Sequence, residues 1–301
     1  MTNDRRPTNA STYLAIPGSS RRLAFVEWGD PGGVPVLLHH GMPGTAADFE
    51  DWDGALREAG ARGIAIDRPG MGESDRMPWR TLRDWPRDVE AVVDHLRIDR
   101  FVVLGVSGGG PHALAVAAAM PERVDRCVLV STGVEIGTDG QQDGVSAGNL
   151  LAYRIVGKSR VLARIQASVQ DRLIRRSPAV AARAVRRMVE QSDARLIEGL
   201  SDGELLKGFR RATEGGTGGV ADEILLHAQR WPFSPEDLTR PVVIWHGVED
   251  TLSPHRGVQT LARRLHHASL STIPHRGHLL ESVPEVRERI IDSALPRTPR
   301  A

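Results

Sequence analysis

The chain reads as an α/β protein: a mostly parallel central sheet with helices on both faces and an inserted helical cap. Three observations predict this. The first and last thirds alternate short β-like runs with helical segments. Several of the runs are wholly apolar, as expected of parallel strands buried on both faces. Between about Val134 and Trp231 the alternation stops and helical composition takes over for much longer than an ordinary connection.

Taken in order, residues 23–28 read as a strand, closed by the turn Gly29-Asp30-Pro31-Gly32-Gly33. Residues 34–39 form a short apolar strand, and 46–59 a helix that stops at Gly60. The next strand, 63–67, ends at Pro69 and Gly70. Val89, Val92, Val93 and Leu96 place one apolar stripe on a helix over 82–96. A strand over 101–104, a helix over 111–119 and a strand over 126–131 complete the first part of the core. The inserted segment carries helical stretches at 149–170, 177–191 and 194–212, then a flexible joint, Glu214-Gly215-Gly216-Thr217-Gly218-Gly219, and a short helix over 220–229. A strand over 242–245, a helix over 256–265, a strand over 269–273 and a helix over 283–295 finish the chain. The expected division is a core in two parts, 12–133 and 232–296, with a helical cap over 134–231.

A chain of 301 residues is long enough for one large core and an inserted subdomain. Its formal net charge of +1 gives no global reason to expect nucleic acid as a partner. Residues 1–11 are polar and lack the apolar centre of a signal peptide, and no apolar run reaches the length of a membrane span. Cys127 is the single cysteine, set in an apolar run, so a buried core thiol is expected and no internal disulfide. A cytoplasmic protein without a membrane partner fits these features. Residues 150–200 hold eleven basic and only four acidic residues, which concentrates positive charge in the insertion. That face is either solvated or an oligomer contact, or it steers an anionic substrate or an acyl carrier.

The strongest chemical signal is Gly105-Val106-Ser107-Gly108-Gly109, between an expected strand and an expected helix. Gly-x-Ser-x-Gly in that setting is a nucleophile elbow: the serine occupies a strained tip whose neighbours must be nearly free of side chain. A serine hydroxyl needs a base, and the base needs an orienting carboxylate. Asp250, on the loop after the 242–245 strand, and His278, on the loop after the 269–273 strand, follow in the chain order Ser, Asp, His. Their rivals are Glu249 and Glu135 for the acid, and His275, His266 and His267 for the base. The loop His39-His40-Gly41-Met42-Pro43-Gly44 follows the 34–39 strand. A His-Gly loop in that position supplies one backbone N–H of an oxyanion hole and the residue after the nucleophile supplies the other, here Met42 and Gly108. His40 is expected to brace this loop, and His112 to pack near the site. Asp67-Arg68-Pro69-Gly70-Met71-Gly72-Glu73-Ser74 reads as a tight turn first. No Cys/His spacing suggests zinc, and no Gly-rich motif suggests a phosphate or dinucleotide site. No cofactor or metal is expected.

Together, His40-Gly41, the Asp67-to-Ser74 turn, Gly105-x-Ser107-x-Gly109, Gly247-x-x-Asp250 and Gly277-His278 resemble the α/β-hydrolase superfamily. The resemblance covers both core segments. It implies a serine hydrolase acting on a small carboxylic ester, thioester or lactone through an acyl-enzyme. The oxyanion loop is similar to that of proline iminopeptidases, whose elbow usually carries Trp where this chain has Gly108. Haloalkane dehalogenases and epoxide hydrolases of the same fold use a carboxylate nucleophile, where this chain has Ser107. The alternatives left open are a peptidase or amidase, a non-hydrolytic enzyme of this fold (an acyltransferase, a C–C hydrolase or a cofactor-free peroxidase) and a ligand receptor.

Overall fold

The computed structural model describes residues 10–135 and 154–296, with residues 143, 145 and 150 between them. Most of the polar stretch 1–11 and of the start of the helix expected over 149–170 lies outside the described residues.

Among the described residues eight strands make one sheet: β1 (Thr12–Ala15), β2 (Arg22–Gly29), β3 (Val34–His39), β4 (Ala61–Ile66), β5 (Phe101–Val106), β6 (Val124–Val130), β7 (Val242–Gly247) and β8 (Ala268–Ile273). Their spatial order is β1-β2-β4-β3-β5-β6-β7-β8. β1 pairs antiparallel with β2, and β2 with β4. Every later pairing is parallel. The period-2 alternation of strands divides the core cleanly. Leu38, Leu104, Val128 and Val243 lie in register across four strands and face one apolar layer. Their neighbours Leu37, Val103, Cys127 and Val242 face the other. The second layer is covered by α2 (Trp85–His95), α3 (Gly110–Ala119) and α10 (His255–Arg264) through Val89, Leu114, Val258 and Leu261. The first is covered by α1 (Asp53–Glu58) and α11 (Pro284–Ala294) through Leu56, Val286 and Ile290. Cys127 is a free, buried thiol, and burial raises its pKa.

The insertion is helical where it is described: α4 (Arg160–Arg176), α5 (Pro178–Met188), α6 (Ala194–Ile197), α7 (Asp202–Leu205), α8 (Lys207–Ala212) and α9 (Gly218–His227). α4 lies on α9 through Ala163 and Ala167, small enough to meet Val220, Ala221 and Ile224 closely. Two differences from the sequence reading have local causes. The stretch 194–212 is three short helices. It breaks near Gly199 and restarts at Ser201, where Ser201 and Glu204 close a capping box: Glu204 N donates to Ser201 Oγ (3.2 Å) and Ser201 N to Glu204 Oε2 (2.8 Å). β1 is an additional strand. Its four residues, Thr-Tyr-Leu-Ala, sit at the sheet edge and are mostly exposed, so they carry no apolar alternation to read. Among the described residues no helix is long and apolar enough to cross a membrane.

The parallel strands all run the same way, so their C-terminal ends share one edge of the sheet, where open α/β sheets collect their sites. The loops after β3, β5, β7 and β8 carry the residues picked out above.

Candidate active site

β5 ends at Val106, and Ser107 takes up a left-handed backbone with φ of 51°, a conformation costly for any side-chain-bearing residue. A tight turn over Ser107–Gly109 leads into α3. Position 109 tolerates only glycine, because a Cβ there would run into the carbonyl oxygen of His39. The elbow thus lies between β3 and β5, with the positive end of the α3 dipole behind Ser107.

The loops after β7 and β8 bring two more side chains to it. His278 Nε2 is 2.8 Å from Ser107 Oγ, and His278 Nδ1 is 2.8 Å from Asp250 Oδ2. Asp250 is buried, and its other oxygen accepts from the Leu252 and Ser253 backbone N–H groups at 2.9 and 2.8 Å. Those bonds lock the carboxylate with Oδ2 toward His278. Burial alone would depress the pKa of His278; the Asp250 carboxylate, joined by Glu281 and Glu190, outweighs it and raises the value to about 9. His246 stands behind Asp250 and donates through Nε2 to the Ser253 carbonyl at 2.8 Å. Burial lowers its pKa to about 4, so it is neutral.

The rivals go elsewhere. Glu135 accepts from Trp231 N at 2.8 Å and pairs with Arg264 at 3.3 Å. Glu249 pairs with His275, whose side chain is 92% exposed. His40 is buried and braces its loop: Nδ1 donates to the Gly41 carbonyl (2.9 Å) and Nε2 accepts from Arg68 N (3.3 Å). His112 donates through Nδ1 to the Gly108 carbonyl at 3.1 Å, and burial lowers its pKa to about 3. Met42 and Gly108 lie side by side, since a Cβ on Gly108 would be 3.3 Å from Met42 N.

The insertion reaches this site in two places that the sequence reading missed. Asp193, fully buried, accepts from Gly277 N at 3.0 Å and from Leu279 N at 2.8 Å, gripping the backbone on both sides of His278. Glu190 accepts from Thr251 N at 2.7 Å and from its hydroxyl at 2.6 Å, next to Asp250. The signal for both was their sign: they are two of only four acids in a strongly basic stretch. Most of the arginines around them, Arg172, Arg176, Arg183 and Arg187 included, are exposed. The second place is Glu223 of α9, fully buried, which pairs with Arg68 at 3.0 Å and with Arg80. Burial would raise its pKa, but the two guanidiniums hold it well below the usual carboxylate range.

His112, Glu223 and His227 converge with their ligand atoms within 4.8 Å of one another, the spacing of a metal site. They do not fit one. The Arg68 and Arg80 guanidiniums already occupy the Glu223 carboxylate, and two buried cations repel a third. The cluster is an ion-pair network between α9 and the sheet. Glu223→Gln is therefore expected to strand two buried cations and cost roughly 3–5 kcal/mol of stability. A urea titration checks this; an unchanged midpoint would mean the network is dispensable.

Comparison with known proteins places this geometry in context. The profile of a family described as "alpha/beta hydrolase fold" matches residues 34–280. The chain is 37% identical over 130 residues to a non-heme chloroperoxidase of Streptomyces lividans, covering 41% of this chain and 46% of that protein. It is 37% identical over 120 residues to a 2-hydroxy-6-oxononadienedioate/2-hydroxy-6-oxononatrienedioate hydrolase of Escherichia coli, covering 38% of this chain and 42% of that protein. The chain thus spans less than half the length of these curated relatives. Among solved structures, a thermophilic esterase from Thermogutta terrifontis superposes with a TM-score of 0.67 at 25% identity, covering 95% of this chain and 96% of that one.

Proposed function

The chain belongs to the α/β-hydrolase fold family, and on that footing we propose that it cleaves a small carboxylic ester, thioester or lactone through an acyl-enzyme on Ser107. One observation carries the reading: Asp250, His278 and Ser107 form a single hydrogen-bonded line with both contacts at 2.8 Å. Asp250 can only accept from His278 Nδ1, so Nδ1 bears the proton and Nε2 presents its lone pair to the Ser107 hydroxyl. His278 then takes the serine proton as Oγ attacks the carbonyl carbon. The Met42 and Gly108 N–H groups receive the developing oxyanion. His278 returns the proton to the leaving group, and water repeats the sequence on the acyl-enzyme. The similarity to a thermophilic esterase supports the ester class. The similarity to a dienedioate hydrolase and a chloroperoxidase marks the alternatives.

A panel of p-nitrophenyl esters, a proline anilide and a fluorophosphonate probe tests the proposal. Turnover of short esters ahead of the anilide, with the phosphonate attached to Ser107, is expected. Because only neutral imidazole accepts the proton and its pKa is raised above 6.5, kcat/KM is expected to climb with pH through neutrality, about tenfold per unit on the acid limb. A panel with no turnover and no label on Ser107 would rule the reading out.

A further inference from the structure

Arg68 follows β4 in the turn that the sequence presents as structural, yet its guanidinium is fully buried beneath the candidate oxyanion loop. Nη1 donates to the His40 carbonyl at 2.6 Å and Nη2 to the Gly41 carbonyl at 2.9 Å. The Gly41 carbonyl also receives His40 Nδ1 at 2.9 Å. The Gly41–Met42 peptide is trans, so its N–H points opposite to its carbonyl. Holding the Gly41 carbonyl toward Arg68 turns the Met42 N–H the other way. Ser107 and Gly108 are the neighbours there: a Cβ on Gly41 would be 3.7 Å from Ser107 Cβ, and one on Gly108 would be 3.3 Å from Met42 N.

We infer that Arg68 is a positioning residue for the oxyanion hole, fixing and polarising the Gly41–Met42 peptide, and that Glu223 on α9 holds Arg68 in place. This rests on the hydrolase reading given above. A preorganised donor is worth far more than one that must turn during the reaction, because no reorganisation is needed as charge develops. Arginine suits the task because its planar fork reaches two carbonyls and a carboxylate at once, which an ammonium cannot do in the same geometry. The charges around Arg68 are fixed by burial and pairing, with Asp48 as a further carboxylate acting on it. Two guanidiniums face the Glu223 carboxylate, while burial keeps the pKa values of His40 and His112 low and both imidazoles neutral. The Arg68 guanidinium itself lies on the carbonyl side of the peptide, and its bond to the Gly41 carbonyl strengthens the Met42 N–H as a donor.

α9 is seated firmly enough to do this. Its first turn packs backbone to backbone on the Arg68 turn, where a Cβ on Gly70 would be 2.8 Å from Gly219 Cα. Arg76 grips Asp222 of α9 through two bonds of 2.6 and 2.8 Å. The insertion therefore contributes to rate.

The test compares an ester with its thionoester, whose sulfur accepts hydrogen bonds poorly, in the wild-type protein, Arg68→Lys and Glu223→Asp. Both variants keep their charge, and near-ultraviolet circular dichroism reports whether each is folded; Glu223→Asp carries the test if Arg68→Lys does not fold. For Arg68→Lys, kcat on the oxygen ester is expected to fall about 10²-fold with little change in KM, approaching the loss of one oxyanion donor. The oxygen-over-sulfur preference should shrink in parallel, and Glu223→Asp should move both readouts in the same direction by less. A purely structural role would slow the two esters equally, and that result, or an unchanged kcat, overturns the inference. Wild-type protein whose Ser107 takes up no fluorophosphonate would defeat the hydrolase reading, and the inference with it. A labelled wild type with an unaltered oxygen-over-sulfur preference in the variants defeats the inference alone.

Discussion

Replacing Ser107 with alanine is expected to abolish ester hydrolysis while the protein stays folded. The elbow conformation makes the second half of that statement possible. Position 107 already bears a Cβ at φ 51°, so alanine inherits the same backbone cost and adds none. Among the described residues the one side-chain partner of Oγ is His278 Nε2, and His278 keeps its bond to Asp250 when Oγ is gone. Chemistry is lost because the imidazole then has no hydroxyl to deprotonate and no acyl-enzyme can form. Since the three residues act as a unit, the expected fall in kcat is on the order of 10⁴-fold or more, with residual turnover arising only from binding and the oxyanion donors. Measured kcat on the best ester of the panel decides this, with the melting temperature as the folding control. A folded Ser107→Ala protein with near-wild-type kcat would exclude Ser107 as the nucleophile.

The placement of Ser107, Asp250 and His278 was legible because each sits just past the C-terminal end of a parallel strand, and parallel strands announce themselves as short apolar runs. The loops after β5, β7 and β8 fall together for that reason alone, whatever else the chain does. The residues that hold these three in place were not legible. Asp193 and Glu190 lie in the short connection between α5 and α6, inside a stretch that reads as basic, and their partners are the backbone N–H groups of loops far along the chain. Nothing in local period or turn chemistry encodes such a contact. Arg68 is a sharper case. The stretch from Asp67 to Ser74 does form the tight turn it suggests, with Gly70 and Gly72 at positive φ. The turn reading accounts for the backbone and says nothing of the side chain, which is buried between the 39–44 loop and α9, where Glu223 meets it. Likewise the break in 194–212 was readable in Ser201-Asp202-Gly203-Glu204, a capping signal that yields to overall helical composition unless it is sought.

The carboxylate assignment leads to the second large effect. Asp250→Asn is expected to lower kcat by about 10⁴-fold with the fold intact. The reason lies in the bonds Asp250 already makes. Its Oδ1 accepts two backbone N–H groups, Leu252 and Ser253, at 2.9 and 2.8 Å. An asparagine keeps its carbonyl oxygen there, since an amide nitrogen would face two donors. Its NH₂ must then stand where Oδ2 stood, 2.8 Å from His278 Nδ1. A donor at that point forces Nδ1 to accept and moves the imidazole proton to Nε2, which then points an N–H at Ser107 Oγ and cannot take its proton. Geometry is preserved and the tautomer is wrong. The same change removes the main attraction that lifts the His278 pKa, so the acid limb of the residual activity should move to lower pH. Glu135→Gln and Glu249→Gln are expected to stay close to wild type, because Glu135 is engaged by Trp231 and Arg264, and Glu249 stands beside the exposed His275. Steady-state kinetics of the three variants across pH discriminates among the acids. An inactive Glu135→Gln beside an active Asp250→Asn would transfer the role to Glu135.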